Sequence, residues 1–220
     1  MLTKKQQQQY LDEKNGEWQE HLQTFADSQS PESLHQLRVA IKKIRALARF
    51  SKACSGRKAI SDFNGLKTMF RQAGIIRDAG KTQQLQLQTT ETERFVQHIK
   101  QYRRQGKRAG KRLHSVIRSV PAGCIRDWYA LQLVSTGILL TSSGDDLHKA
   151  RKQIKDLLYM EKLLPPPVQK ELNLDRNYLD QLQEAIGQWH DDIIAAVDAS
   201  EKEAAVRRLA ENFYLRINRS

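Results

Sequence analysis

The sequence predicts an all-α protein built from two similar helical bundles, and three observations carry that prediction. Aromatic residues are few (7%), and Gly and Pro number only 11 and 5. No stretch alternates apolar and polar residues in the manner of a strand, whereas apolar residues recur at helical spacing along most of the chain. A repeat at a constant offset then relates the first half to the second.

The first half, about residues 1–120, contains four helical patterns. Ser30-Pro31-Glu32 is a typical helix start, with an N-cap serine, proline in the first helical position and an acid in the first turn. Gly56 closes that helix, and Gly74 is expected to end the next one. The expected helices are 4–27, 31–53, 58–73 and a long one over 77–120, bent near Gly106 and Gly110.

The second half begins after Pro121. Its first pattern, 123–141, predicts an apolar helix. The uncharged run Trp128–Gly144 falls short of a membrane span and is expected to be a buried core helix. Pro165-Pro166-Pro167 ends the helix that follows it. The remaining expected helices are 145–164, a short piece, 175–199 and 201–217.

Positive charge is concentrated in the middle of the chain. The formal net charge is +12, yet residues 1–30 carry 3 basic and 5 acidic side chains and residues 119–220 carry 13 and 15. Residues 31–118 carry 21 basic and 5 acidic side chains. Such a concentration predicts a basic site for a polyanion, which is a nucleic acid, polyphosphate or an anionic membrane surface.

Two rows of cations account for much of this charge. On the helix over 31–53, spacings of 3 and 4 align one face, and residues 33–52 hold no acid. This first basic row consists of His35, Arg38, Lys42, Arg45 and Arg49, with Lys43 beside it. The acid-free run 100–118 repeats the spacing at Arg104, Arg108, Lys111, Ser115 and Arg118, whose four cations form the second basic row. Arg suits bidentate bonds to phosphate oxygens, and Lys supplies a compact charge.

An offset of 113 residues superposes the two halves without a gap. It places Leu34, His35, Arg38 and Lys42 on Leu147, His148, Arg151 and Lys155, and Gly74 and Asp78 on Gly187 and Asp191. Arg45, Arg49 and Arg77 meet Leu158, Lys162 and His190, so the second copy has a shorter row of cations. We therefore expect a pseudo-two-fold relation of the halves, with the first half dominating binding.

The pattern H-x-x-R-V-x-x-K-K-x-R at His35–Arg45 resembles the signature helix of the CHAD domain, the conserved histidine α-helical domain. His148–Tyr159 is similar to its second signature, and G-x-x-R-D at Gly74–Asp78 and G-x-x-H-D at Gly187–Asp191 resemble the turns that follow. The resemblance, over about residues 4–217, implies two four-helix bundles around a basic groove that binds inorganic polyphosphate. Many members also carry an N-terminal triphosphate-tunnel (CYTH) domain, for which this chain has no room.

The site predicted from these patterns is a polyphosphate site. Its residues are His35, Arg38, Lys42, Lys43, Arg45, Arg49, Arg77, Arg104, Arg108, Lys111, His148, Arg151, Lys152 and Lys155. His35 and His148 lack helical metal-ligand partners, so they either donate to phosphate, more strongly as pH falls, or are structural. Asp78 and Asp191, expected near helix starts, are interpreted as groups that orient Arg or His.

No nucleophile elbow, Gly-rich phosphate loop or HExxH motif occurs, so we expect a non-enzymatic module without metal or cofactor. The alternatives are nucleic-acid backbone binding, for which Phe95 and Tyr102 offer few stacking platforms, and a metal-dependent polyphosphate-processing enzyme. Cys54 and Cys124 form no CxxC or zinc-like spacing, and residues 1–14 hold no apolar segment suitable for a signal peptide. These features predict a cytoplasmic protein, on polyphosphate granules if it resembles its relatives, without a membrane partner.

Overall fold

The computed structural model describes residues 1–55, 64–142, 144–195 and 198–217. Within these ranges the chain forms eleven helices and no strand, apart from one isolated bridge between Leu2 and Val120. The all-α prediction is therefore confirmed. The chain divides into two compact units, which are Thr3–Ser119 (the N-terminal unit) and Met1–Leu2 with Val120–Ser220 (the C-terminal unit).

The N-terminal unit contains five helices, α1 (Lys4–Ser28), α2 (Pro31–Ser55), α3 (Asn64–Lys81), α4 (Leu85–Gln97) and α5 (Ile99–Val116). Thr3 and Gln6 form a reciprocal capping box at the start of α1. Both α2 and α5 pack against α1 and α3, so α2 and α5 lie at opposite corners of the bundle. Trp18, Leu37, Ile41 and Ile44 fill the core from α1 and α2.

Two expectations about helix boundaries in this unit are wrong. Gly74 does not end a helix, because α3 runs through it to Lys81; the part of that predicted helix before Asn64 lies outside the described residues. The long helix expected over 77–120 is instead three elements, with a turn at Gln83 (φ 56°) and a break at His98. The segment resembling a post-signature turn is thus helical.

Gly106 and Gly110 lie inside α5 and do not bend it out of helical geometry. A Cβ on Gly106 would lie 2.6 Å from Cη2 of the buried Trp18, and one on Gly110 would lie 2.8 Å from Nδ2 of Asn15. Because both neighbours belong to α1, these glycines allow α5 to approach α1 closely. Their role is helix–helix packing.

The C-terminal unit contains α6 (Ala122–Thr141), α7 (Asp145–Glu161), α8 (Pro166–Leu172), α9 (Arg176–Ile194), α10 (Ser200–Glu211) and α11 (Phe213–Ile217). Its core joins Leu147, Ile154, Leu179 and Ile186 of α7 and α9. The helix expected over 201–217 is broken at Asn212, which becomes the C-cap of α10.

Helix α6 is only half buried, which corrects the expectation of a core helix. Tyr129 and Leu140 face the interior, whereas Leu131, Val134 and Ile138 are 68%, 55% and 61% exposed. Even with this apolar composition, none of the helices in the described ranges has the length and hydropathy needed to cross a bilayer.

Candidate functional site

Arg38, in the middle of the first basic row, fastens α2 to α3. Only 8% of the residue is exposed, and its Nη1 donates a hydrogen bond to the main-chain oxygen of Phe70 over 2.6 Å. A Cβ at Gly74 would lie 2.7 Å from the same Nη1, so the glycine makes the room that this guanidinium occupies. The side chain expected to contact a ligand therefore has a structural bond to satisfy first.

The ring of Phe70 lies beneath two arginines of the row. The guanidinium carbon of Arg38 is 4.1 Å from the ring centroid and that of Arg45 is 5.0 Å away, which are cation–π distances. Burial, and then repulsion from Arg77 and Arg45 that Asp78 partly offsets, lowers the pKa of Arg38 to about 10. The group is still charged at neutral pH. The fold therefore holds several positive charges together.

Arg77 and Asp78 form an ion pair on α3. Nε and Nη2 of Arg77 both donate to Oδ1 of Asp78, over 2.9 and 2.6 Å. The contact agrees with the interpretation that Asp78 orients an arginine. Its location differs from the expectation, because Asp78 lies in the last turns of α3 and not near a helix start.

The other members of the first basic row differ in exposure. His35 and Arg49 are exposed, and Lys42 and Arg45 are partly buried. Lys43 turns toward α1, where its Nζ lies 3.8 Å from Oε2 of Glu17, the same side chain that pairs with the buried Lys14. The charge of the first basic row is therefore concentrated on the side of α2 that packs against α3.

The second basic row forms a separate surface of the N-terminal unit. Arg104, Arg108 and Lys111 are exposed on α5, at the corner of the bundle opposite α2. Helix α5 consequently adds no wall beside α2 within this unit. The nearby aromatic residues Phe95 and Tyr102 are 1% and 5% exposed, so they offer no ring face to a base.

The C-terminal unit reproduces the arginine anchor at the same offset. Nε of Arg151 donates to the main-chain oxygen of Gln183 over 2.8 Å, as Arg38 does to Phe70. A Cβ on Gly187 would lie 2.5 Å from Nη2 and 2.7 Å from Nε of Arg151. The internal repeat therefore extends to a specific interhelical contact between α7 and α9.

Two histidines stack beside this anchor. The rings of His148 and His190 have centroids 4.1 Å apart and planes 19° apart, and Nδ1 of His148 is buried without a hydrogen-bond partner. Burial, followed by repulsion from Lys152, His190 and Arg151, lowers the pKa of His148 to about 4. His148 is therefore neutral in the physiological range, which corrects the expectation that mild acidity would charge it.

Lys155 and Lys152 complete the predicted site in this unit. Lys152 is exposed on α7. Burial and the neighbouring Arg151 lower the pKa of Lys155, while Asp180 and Glu184 act in the opposite direction. Lys155 lines a cavity of about 320 Å³ whose wall also includes Lys162 and Arg176.

The sequence did not reveal the roles of Phe70 and Gln183, whose main-chain oxygens accept the two arginine hydrogen bonds. It also assigned Gly74 and Gly187 to turns, whereas both lie within helices and make room for an arginine. The separation of 32 residues between each arginine and its acceptor follows from the gapless repeat, and no sequence pattern marks a main-chain oxygen as the acceptor. Among the described residues, no cluster of three or more His, Cys, Asp or Glu side chains is arranged to hold a metal ion.

Comparison with known proteins is consistent with this repeated architecture. The family model described as "CHAD domain" matches residues 9–123 and again residues 83–197. Among solved structures, the chain is similar to the crystal structure of the CHAD domain from the plant Ricinus communis, with a TM-score of 0.71 and 15% sequence identity. That match covers 98% of this chain and 88% of the other. No curated protein matches the sequence.

Proposed function

Because this chain belongs to the CHAD domain family, we propose that it binds inorganic polyphosphate, with the first basic row and Arg77 as the principal contacts. The observation that carries the proposal is the rigid assembly of cations on α2 and α3. Arg38 and Arg45 share the Phe70 ring, and Arg77 stands next to them on α3. A polymer with charge on every unit gains from each cation held in place.

The position of the row on a helix supports a linear ligand. Successive members on one face are about one helical turn apart, so they form a line of cations about 5 Å apart. Because the apolar residues Leu37, Ile41 and Ile44 are fully buried beside it, packing fixes this line before a ligand arrives. Packing therefore sets the backbone positions of the row in advance, and binding has to order only its side chains.

Inorganic polyphosphate suits this surface better than a nucleic acid does. Phe70 is engaged with two guanidiniums, and Phe95 and Tyr102 are buried, so these three aromatic residues of the described ranges offer no stacking platform for bases. We propose the second basic row as a weaker, independent anion surface of the same unit. A chain long enough to reach both rows would gain from each.

Competition between polyanions tests the proposal. Labelled long-chain polyphosphate is bound to the protein and displaced by unlabelled polyphosphate, RNA or duplex DNA at equal phosphate concentration. We expect unlabelled polyphosphate to displace the label at least tenfold more effectively, with affinities that fall steeply as salt rises. Equal displacement by RNA or DNA per phosphate would contradict the assignment and favour nucleic-acid binding.

We further propose that the protein binds without catalysis, in the cytoplasm and on polyphosphate granules. The test is phosphate release from polyphosphate with Mg²⁺ or Mn²⁺, compared with an Asp78→Ala variant. No release above the protein-free control is expected. Metal-dependent release that disappears in the variant would show an enzyme instead.

A further inference from the structure

A cavity of about 320 Å³ in the C-terminal unit combines cations with one carboxylate. It lies between the end of α7, which contributes Lys155 and Lys162, and the first turns of α9, which contribute Arg176, Asn177 and Asp180. Its volume is at the small end of ligand pockets, so it suits a compact group. The positive charge indicates an anion, whereas the carboxylate needs a different explanation.

Among the described residues, carboxylates of the protein pair with only part of the positive charge that lines this cavity. Arg176 pairs with Glu161 through Nε and Oε2 at 2.9 Å. Among the residues that the structure describes, neither Lys155 nor Lys162 has a carboxylate within ion-pair distance. Two ammonium groups and the amide of Asn177 are therefore available as donors to the oxygens of an anion.

Asp180 is held in the cavity wall by a buried side chain. Gln183, only 9% exposed, donates from Nε2 to Oδ1 of Asp180 over 2.9 Å, while its main-chain oxygen accepts the bond from Arg151. The carboxylate is thus oriented by the same residue that anchors α7 to α9. Its placement belongs to the fold and is not that of a loose surface acid.

The carboxylate also distinguishes the two halves. The residue 113 positions before Asp180 is Lys67, so the first copy has a cation where the second has an acceptor. A sulfate, a phosphodiester or an interior phosphate of a chain carries no hydroxyl at neutral pH and would only be repelled by Asp180. A hydrogen phosphate can accept bonds from the cations and donate its hydroxyl to that carboxylate.

We propose that this cavity binds a phosphate group that retains a proton, which is either free hydrogen phosphate or the terminal phosphate of a chain. The site selects by hydrogen-bond type, because only such a group satisfies both the ammonium donors and the Asp180 acceptor. The chain-end source rests on the proposed polyphosphate function. Selectivity for hydrogen phosphate over sulfate does not rest on it.

Calorimetric titration of the full chain with inorganic phosphate and with sulfate tests the proposal. At mildly alkaline pH both anions carry two charges, and only hydrogen phosphate has a hydroxyl. We expect about a tenfold preference for phosphate, the effect of one charge-assisted hydrogen bond gained and one repulsion avoided. Asp180→Asn should remove the preference by weakening phosphate and strengthening sulfate.

Glu184→Gln is the matched control. It removes the same charge near Lys155 but does not line the cavity, so it should leave the preference unchanged. Because Asp180 and Glu184 are both exposed, we expect both variants to fold, which thermal unfolding checks. Equal affinity of the wild-type protein for the two anions, or the same effect from both variants, would overturn the proposal.

The source of the phosphate is resolved at about pH 6, near the second pKa of a terminal phosphate, where a large share of free chain ends still carries a proton. The competitor is polyphosphate whose ends are free or capped as esters without a hydroxyl. Displacement of bound phosphate by the uncapped chain alone assigns the cavity to a chain end, and displacement by neither assigns it to free phosphate. Equal displacement by both contradicts the selection of a proton-bearing group. If long polyphosphate does not bind at all while the phosphate preference persists, the proposed function fails and this inference stands.

Discussion

Replacing Gly187 by alanine tests whether the arginine anchor controls the packing of α9 on α7. The added Cβ would lie 2.5 Å from Nη2, 2.7 Å from Nε and 2.8 Å from Cζ of Arg151. All three contacts are shorter than side chains tolerate, so the whole guanidinium must move. That movement breaks the 2.8 Å bond from Nε to the main-chain oxygen of Gln183.

Three contributions set the expected change in the free energy of unfolding for Gly187→Ala. Losing a hydrogen bond from a charged donor costs about 1.5–3 kcal/mol, and repacking an overfilled site adds about 1 kcal/mol or more. Alanine in a helix interior returns about 1 kcal/mol relative to glycine. The free energy of unfolding should therefore fall by about 2 kcal/mol. Gly74→Ala should act in the same direction on α3, where a Cβ would lie 2.7 Å from Arg38 Nη1.

Urea unfolding of a double-mutant cycle is the assay. In an Arg151→Ala background the obstacle is gone, so Gly187→Ala should stabilise by about 0.4–1 kcal/mol. The coupling energy between the two sites should reach about 2–3 kcal/mol. Gly123→Ala is the matched control in the same unit, because nothing lies within 4 Å of its added Cβ. Stabilisation by Gly187→Ala in the wild-type background, as for the control, would refute this reasoning.

Two further predictions concern the two copies of the site. The double variant Arg38→Ala with Lys42→Ala should weaken polyphosphate binding, measured by fluorescence anisotropy, more than Arg151→Ala with Lys155→Ala does. The two variants are matched, because each removes one hydrogen bond between helices. Equal losses of affinity would show that the two halves contribute equally to binding. His148, whose folded pKa is about 4 against 6.5 unfolded, makes stability fall as pH drops from about 6.5 to about 4. In the His148→Gln variant, urea unfolding should show a smaller loss of stability over this pH range, by on the order of 1–2 kcal/mol for this partly exposed ring. An unchanged pH dependence of the unfolding free energy would contradict the lowered pKa of His148.

Much of the helical architecture was predictable because it depends on local periodicity. The run from Leu34 to Arg49 repeats apolar and basic residues at 3.6-residue spacing, and the structure places it on α2 with the apolar face buried. The 113-residue offset predicted an internal repeat, which is confirmed, and the bonds of Arg38 to Phe70 and of Arg151 to Gln183 recur at that offset. Strong periodic signals of this kind survive without knowledge of the tertiary structure.

The roles of the glycines were not predictable from the sequence. A glycine that ends a helix and one that admits a neighbouring side chain look alike in a sequence pattern. The sequence pattern predicts a helix end at Gly74, and only the packing of Arg38 against this glycine reveals that it admits a neighbouring side chain. The break between α4 and α5 at His98 was likewise not predictable, because no glycine or proline stands beside it in the sequence.

The arrangement of the two basic rows was also beyond sequence reasoning. The spacing shows that each row occupies one face of its helix, but not which helices become neighbours. In the structure α1 and α3 separate α2 from α5, so the rows face different directions within the N-terminal unit. Burial of Arg38 has the same origin, because its partner Phe70 lies 32 residues away.

The most direct test of the account compares two triple variants that remove the same charge. Lys42, Arg45 and Arg49 on α2 are changed to glutamine in one protein, and Arg104, Arg108 and Lys111 on α5 in the other. If α2 holds the principal site, the α2 variant should lose polyphosphate affinity at least tenfold more than the α5 variant, at equal ionic strength. Equal losses would show that net charge alone attracts the polymer, and would contradict a site built on α2 and α3.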